Sequence, residues 1–461
     1  MTNFAIEELM GHEVAFTQLS RRLTLWITGL AIVLYAALVL VAWSFSDVSS
    51  NNKLNFVLVS IIMSAVVAWI AWSLMLSPRS RVSMVGSMSP ALVIFVIAVL
   101  NIRNGTQWFK SYGDAGELEV LVSAGRPFGR WLLGTTLLVD GYSLLRAFVA
   151  SVSARDFVLM ASAGVMAIAS AIARRSFGAR AAVVLPLTMP IWIGLSLGYD
   201  EYYPFIAGVF LATSLWICTS SAKRPSMLMY SLAGVLPALY VGFIPLGGFV
   251  LLKLASSGRG LKEWSRGLLI SVATYVLIVE ISWPSGHSNY LSTIADQMSL
   301  GNRNNGYRGE ALSDKSPFFS LNSVISSWHA KDILFCGLMA GGVSMIIFVI
   351  GFVQVFERSN WNLDRVKSLI GVRNPGHLLQ HTFVAWSVIY FLFMIPKLGP
   401  VTDIDLFFTS NIVIAICAGK LVDRLALRLE LGHSIKQLLV ALVASFNGPF
   451  LAGLLIFGVA R

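Results

Sequence analysis

Apolar runs of about 20 residues recur along nearly the whole chain, the length an α-helix needs to cross a hydrocarbon layer roughly 30 Å thick. Inside lipid each segment must satisfy its own backbone amides, so the expected fold is an all-α polytopic membrane protein. Composition points the same way. Of 461 residues, 56% are hydrophobic and 12% charged, whereas soluble domains carry roughly 25% charged residues. Too little charge is present to coat a surface facing water. The runs lie near 23–45, 55–77, 82–100, 157–173, 181–198, 204–220, 227–243, 245–256, 267–284, 333–355, 380–396, 406–419 and 438–459. They predict about 11–13 transmembrane helices in a single transmembrane domain, residues 1–461. The first 20 residues hold Glu7, Glu8 and Glu13 and no basic stretch, so no cleavable signal peptide is expected.

A net charge of +11 invites a nucleic-acid reading, but its distribution opposes one. With the N-terminus inside, cytoplasmic segments hold 21 of the 34 Lys and Arg and 8 of the 23 Asp and Glu. External segments hold 14 acids, and Glu280 falls within a run. The excess of cations on one side follows the positive-inside rule and predicts a multi-pass protein of the cytoplasmic (inner) membrane with a cytoplasmic N-terminus. Cys218, Cys336 and Cys417 all fall in apolar runs, without CxxC or metal-ligand spacing, and read as small buried groups. There is no Walker A sequence, dinucleotide fingerprint, HExxH or supported GxSxG, which argues against nucleotide-driven chemistry.

Two long external segments hold the unusual material. Residues 101–156 are too polar to span and too apolar for an ordinary loop. Trp131, Leu132, Leu138, Tyr142, Leu145 and Phe148 recur there near helical spacing, with Arg130, Asp140 and Arg146 between them. One or two helices lying at the interface are expected. Residues 285–332 are rich in Gly, Asn and Ser and read as an external loop of turns. Residues 227–256 read as two short helices around Pro245, Gly247 and Gly248, each too short to cross fully, as tolerated where protein or a water-filled cavity covers them.

Three short acidic motifs stand beside apolar runs on the same predicted face: GDAGELE from Gly113, GYDEYYP from Gly198 and GPVTDIDLF from Gly399. Carboxylates next to hydrocarbon are costly, so their gathering on one face marks a candidate site. Asp114 and Glu117 share a helical face, and a partly desolvated carboxylate there has the raised proton affinity of a general base. The alternative is an ordinary helix N-cap. Asp200 and Glu201 lie in a very short turn with Tyr199, Tyr202 and Tyr203. The tyrosines suit a membrane interface, while the acids point to a cation, a hydroxyl-rich ligand or an arginine. Asp403 and Asp405 would project to one side if extended and could share a divalent metal such as Mg or Mn, or Asp403 caps the next helix. His287 and His329 are external histidines able to hydrogen-bond a phosphate or sugar. Arg303 and Arg308, with Lys315, Arg126 and Arg130, are the cations a phosphate on this face would need.

In their order and sidedness these motifs resemble the GT-C superfamily of integral-membrane glycosyltransferases, in particular a group of bacterial members. The matching residues are Gly113-Asp114 with Glu117, Gly198 to Pro204, Phe319-Ser320-Leu321 with His329, and Asp403-Ile404-Asp405-Leu406-Phe407. The resemblance implies a GT-C-like fold and a polyprenyl-phosphate sugar as donor, with a glycan, lipid or protein as acceptor on the external face. It further implies that an acid of the first external loop, Asp114 or Glu117, is the base of an inverting transfer. Asp200, Glu201, Tyr202, His329, Arg303 and Arg308 would contact substrate, and Asp403 and Asp405 a metal. A transporter or flippase for a lipid-linked glycan would use the same side chains for binding alone, and Glu280 favours that rival. A polymerase of lipid-linked glycans would rely more on the loop arginines.

Overall fold

Proline and glycine decide where the apolar runs stop being helices. The computed structural model describes residues 50–76, 81–104, 115–126, 131–178, 180–196, 203–219, 227–255, 260–283, 290, 292, 327–358, 375–393, 407–428 and 432–459. The first helices are α1 (Ser50–Met75), α2 (Arg81–Asn104), α3 (Ala115–Ser123), α4 (Leu132–Phe148) and α5 (Ala154–Phe177). Next come α6 (Ala181–Thr188), α7 (Pro190–Ser196), α8 (Tyr203–Thr219), α9 (Met227–Leu239), α10 (Ile244–Ala255) and α11 (Gly260–Ser282). The chain continues with α12 (Ser327–Gly341), α13 (Val343–Arg358), α14 (Pro375–Phe393), α15 (Phe408–Arg428) and α16 (Gly432–Val459). Among the described residues there is no strand, and the chain is all-α.

Among the described residues three helices are long and apolar enough to cross a membrane: Leu58–Met75 in α1, Ala154–Phe177 and Lys262–Ser282. A fourth span would be the bent pair α12–α13. The expected 11–13 spans therefore do not all appear as single helices of spanning length. The run 181–198 breaks between α6 and α7, because Pro190 disfavours helical geometry at the residue before it, and Met189 adopts φ −59°, ψ 144°. The run 333–355 breaks at Gly342, whose φ of +57° is the left-handed conformation glycine tolerates, and the two halves meet at 116°. The stretch 227–256 does form two short helices, but the break falls at Tyr240–Phe243. Gly247 and Gly248 lie inside α10. The run 23–45 lies outside the described residues.

The long helix α5 shows local signals agreeing with the fold. Ser153 accepts from the Asp156 N–H at 3.1 Å, and its hydroxyl donates to the Asp156 carboxylate at 2.6 Å. This closes the N-terminus. At the other end the Gly178 N–H returns to the Arg174 carbonyl at 3.1 Å, with φ +77°. Small residues let helices approach: a methyl on Gly234 would strike the Ser271 backbone, and one on Gly419 the backbone of Ala181 and Ala182. Outward faces stay apolar, as at Leu269 and Ile281 on α11, Ile61 and Ile62 on α1, and Ile168 on α5. Apolar surface on that scale suits lipid rather than water.

Most helices share one core. A second, smaller core is formed by Leu118 and Val122 of α3, Leu138 and Tyr142 of α4, and Val152 and Val158 around the start of α5. Phe205 of α8 packs against both cores. Among its described residues the segment 101–156 therefore contains two helices, α3 and α4, docked on the bundle through α5, α8, α9 and α11.

Candidate functional site

Contacts between helices sort their ends into two groups. In the first, charged side chains reach across to backbone. Arg174 donates to the carbonyl of Leu76, just past α1. Lys253, at the end of α10 and 4% exposed, donates to the carbonyls of Trp216 and, at 2.8 Å, Ile217 in the last turn of α8. Its ammonium also stands 4.6 Å from the centre of the Trp216 ring. Lys420 of α15 donates to the next carbonyl of α8, Cys218, at 2.7 Å, and to Gln380 of α14 at 3.1 Å. Asp423 accepts from the N–H groups of Ala181 at 2.8 Å and Ala182 at 3.3 Å, at the start of α6. Cations thus meet helix C-termini and an anion a helix N-terminus, the arrangement the helix dipole favours. None of these four residues was singled out in the sequence. Their one signal was position, within or at the edge of apolar runs.

The second group is aromatic. Trp131, just before α4, meets Tyr203 at a ring-centroid distance of 6.1 Å and Tyr240 at 6.4 Å. Tyr203, at the start of α8, meets Phe408, at the start of α15, at 5.9 Å. Phe210 continues the cluster, 6.1 Å from Phe408 and 5.5 Å from Phe243. Phe391, near the end of α14, packs on Phe407 at 5.5 Å. Beside the cluster lies a cavity of about 90 Å³ lined by Phe210, Tyr240, Phe243, Phe383, Trp386 and Ser410, among others. That is well above the ~10–15 Å³ that one water needs. Tyr290, fully buried, packs on Trp283 at 5.5 Å and hydrogen-bonds Tyr275. Burial first, and then the neighbouring Tyr275, raise its phenol above the ordinary value.

The aromatic group holds residues of two of the three acidic motifs. Tyr203 ends the second motif's tyrosine run, and Phe407 closes the third motif, two residues after Asp405. The first motif enters α3, which packs in the small core that Phe205 touches. Glu117 lies in the first turn of α3. Glu119, two residues on, forms an ion pair with Arg155 of α5 at 3.6 Å, so one of the three acids there serves to dock α3. Asp114, Asp200, Glu201, Tyr202, Arg303, Arg308, Asp403 and Asp405 lie outside the described residues, as does His287. Among the described residues no three His, Cys, Asp or Glu side chains gather as a metal site would require.

His329 is 2% exposed, and its Nε2 donates to the carbonyl of Leu392 in the last turn of α14 at 2.8 Å. It ties α12 to α14. Glu280 sits in the last turn of α11 with its side chain exposed, at a helix end rather than mid-helix.

Asn447 went unremarked in the sequence. Fully buried in α16, it joins the two helix breaks: its Nδ2 donates to the Thr188 carbonyl at 2.8 Å, and its Oδ1 accepts from the Val343 N–H at 2.8 Å. An asparagine within an apolar run is the signal that could have found it. No family model matches the chain, and no curated protein or solved structure matches it either.

Proposed function

We propose that the chain is a GT-C-like membrane glycosyltransferase that moves a sugar from a polyprenyl-phosphate donor to a glycan, lipid or protein acceptor on the non-cytoplasmic face. In this reading the charged ends face the cytoplasm and the aromatic ends the exterior, as the positive-inside rule requires. The observation that carries it is the ring contact between Tyr203 and Phe408 at 5.9 Å. Two or three residues of chain reach at most about 7 or 11 Å. Chain connectivity alone limits Glu201 to within about 7 Å of Tyr203 and Asp405 to within about 11 Å of Phe408. Phe205 brings α3, which carries Glu117, to the same part of the bundle.

The chemistry follows from carboxylates at such a boundary. Asp114, or Glu117 next to it, accepts the proton of the acceptor hydroxyl as that oxygen bonds to the anomeric carbon. The bond from that carbon to the donor phosphate breaks on the opposite face, inverting the centre. Arg303 and Arg308 meet the charge developing on the phosphate; Asp403 and Asp405 would hold a divalent cation, which would supply further neutralisation there. Asp200, Glu201 and Tyr202 orient sugar hydroxyls. A lipid-borne donor explains both the membrane boundary and the absence of a nucleotide motif. The test supplies purified protein with a polyprenyl-phosphate sugar and an acceptor extract. Transfer should fall at least about 100-fold in Asp114→Asn or Glu117→Gln; undiminished transfer in both folded variants overturns the reading.

A second reading, a transporter or flippase for a lipid-linked glycan, draws support from the two broken helices that meet at Asn447, since discontinuous helices are common at transport sites. Movement of labelled lipid-linked glycan across reconstituted vesicles, with no product formed, would favour it.

A further inference from the structure

We propose that the break between α12 and α13 binds an alkali-metal cation, sodium or potassium, through uncharged oxygens. Four observations on the residues around Gly342 lead there. In a continuous helix the carbonyl of Met339 would receive the N–H of Val343, and that of Gly341 the N–H of Met345. Here the Val343 N–H goes to Asn447 at 2.8 Å, and the Met345 N–H to the Gly342 carbonyl at 3.2 Å. Both carbonyls at the end of α12 are thereby released from their helical donors, at the negative pole of the helix.

Against this end stands the carboxamide of Asn411, which is fully buried on α15. Its Nδ2 is spent on the Phe407 carbonyl at 2.9 Å, and its Oδ1 has no hydrogen-bond partner. That oxygen lies so close to Gly341 that a methyl group there would overlap it. Ser344, in the first turn of α13, is also fully buried, with an unpartnered hydroxyl. Acceptors outnumber donors: Asn411 Oδ1, the carbonyls of Met339 and Gly341, and the Ser344 oxygen. A buried acceptor left without a donor is costly, and a cation answers several at once. Carbonyl and amide oxygens without a carboxylate suit a singly charged ion. Calcium and magnesium draw on clustered carboxylates, and among the described residues no three His, Cys, Asp or Glu side chains gather as such a site needs.

This inference is independent of glycosyl transfer, and its test contains neither sugar nor acceptor. Purified protein in detergent is melted in choline chloride, sodium chloride and potassium chloride at matched ionic strength. Binding to the folded state should raise the midpoint by about 2 °C or more in one alkali salt, saturating with its concentration. Asn411→Leu should abolish the rise, whereas Asn411→Asp should keep or enlarge it. The same midpoint in all three salts, or an undiminished rise in folded Asn411→Leu protein, overturns the proposal. Wild-type protein is also assayed for retention of radioactive sodium and of rubidium as a potassium surrogate. About one ion per chain, displaced by excess unlabelled salt, is expected. Retention of neither overturns the site, even if Asn411→Leu fails to fold.

Discussion

The two groups of helix ends are held by different forces. At one, Arg174, Lys253, Lys420 and Asp423 reach to backbone carbonyls and amides of neighbouring helices. Directional bonds to charged groups fix distance and register, and each is worth about 1.5–3 kcal/mol. At the other, Trp131, Tyr203, Tyr240 and Phe408 meet through ring faces and edges beside a cavity. Ring contacts add about 0.5–1.5 kcal/mol each and tolerate rotation and small shifts. A protein that must admit a ligand needs one end fixed and one adaptable. Tyr203 and Phe407, residues of two of the acidic motifs, lie at the adaptable end.

The largest expected effect tests the fixed end. Lys253→Met keeps most of the side-chain volume but leaves the carbonyls of Trp216 and Ile217 without their donor. Thermal unfolding in detergent should show a loss of about 2–4 kcal/mol; a loss below ~1 kcal/mol would break the contrast drawn above. Gly419→Ala should follow at about 1–3 kcal/mol, because the new methyl strikes the backbone of Ala181 and Ala182 where Asp423 caps α6. The same melts read it, and an unchanged midpoint would mean that α15 and α6 are not closely packed.

At the adaptable end Trp131→Leu should cost about 1–3 kcal/mol of stability, since two ring contacts are lost. Glycosyl transfer, assayed as above, should drop far more than stability does. Equal losses in both would make the aromatic cluster simple core. The smallest effect is expected at the ion pair between Arg155 and Glu119, whose side chains are 12% and 26% exposed. Arg155→Ala should change stability by about 1 kcal/mol, measured by the same unfolding, because the pair rests on one long contact of 3.6 Å and Glu119 keeps part of its hydration.

Helix positions were largely legible in the sequence because length and hydropathy alone determine them. The runs at 55–77, 82–100, 157–173 and 204–220 appear as α1, α2, α5 and α8 with ends shifted by a few residues. The breaks were less legible. Pro190 and Gly342 each sit in a run that reads as continuous, and a single proline or glycine is tolerated in many membrane helices. Which contacts a break makes depends on α16, distant in sequence, so nothing local announced Asn447. At the candidate site, Tyr203 and Trp131 were visible as interfacial aromatics, but their pairing with each other and with Phe408 is purely tertiary. His329 was legible as an unusual residue, not as the donor to Leu392. Lys253 and Lys420 escaped because sequence reading treats a lysine at the end of an apolar run as solvated, whereas here each completes the last turn of α8.

Phe205 touches both cores. A displacement of α8 would carry that phenyl ring with it and disturb the small core to which α3 contributes Leu118 and Val122. The outer helices thus have a mechanical gauge of how the bundle beneath them is seated.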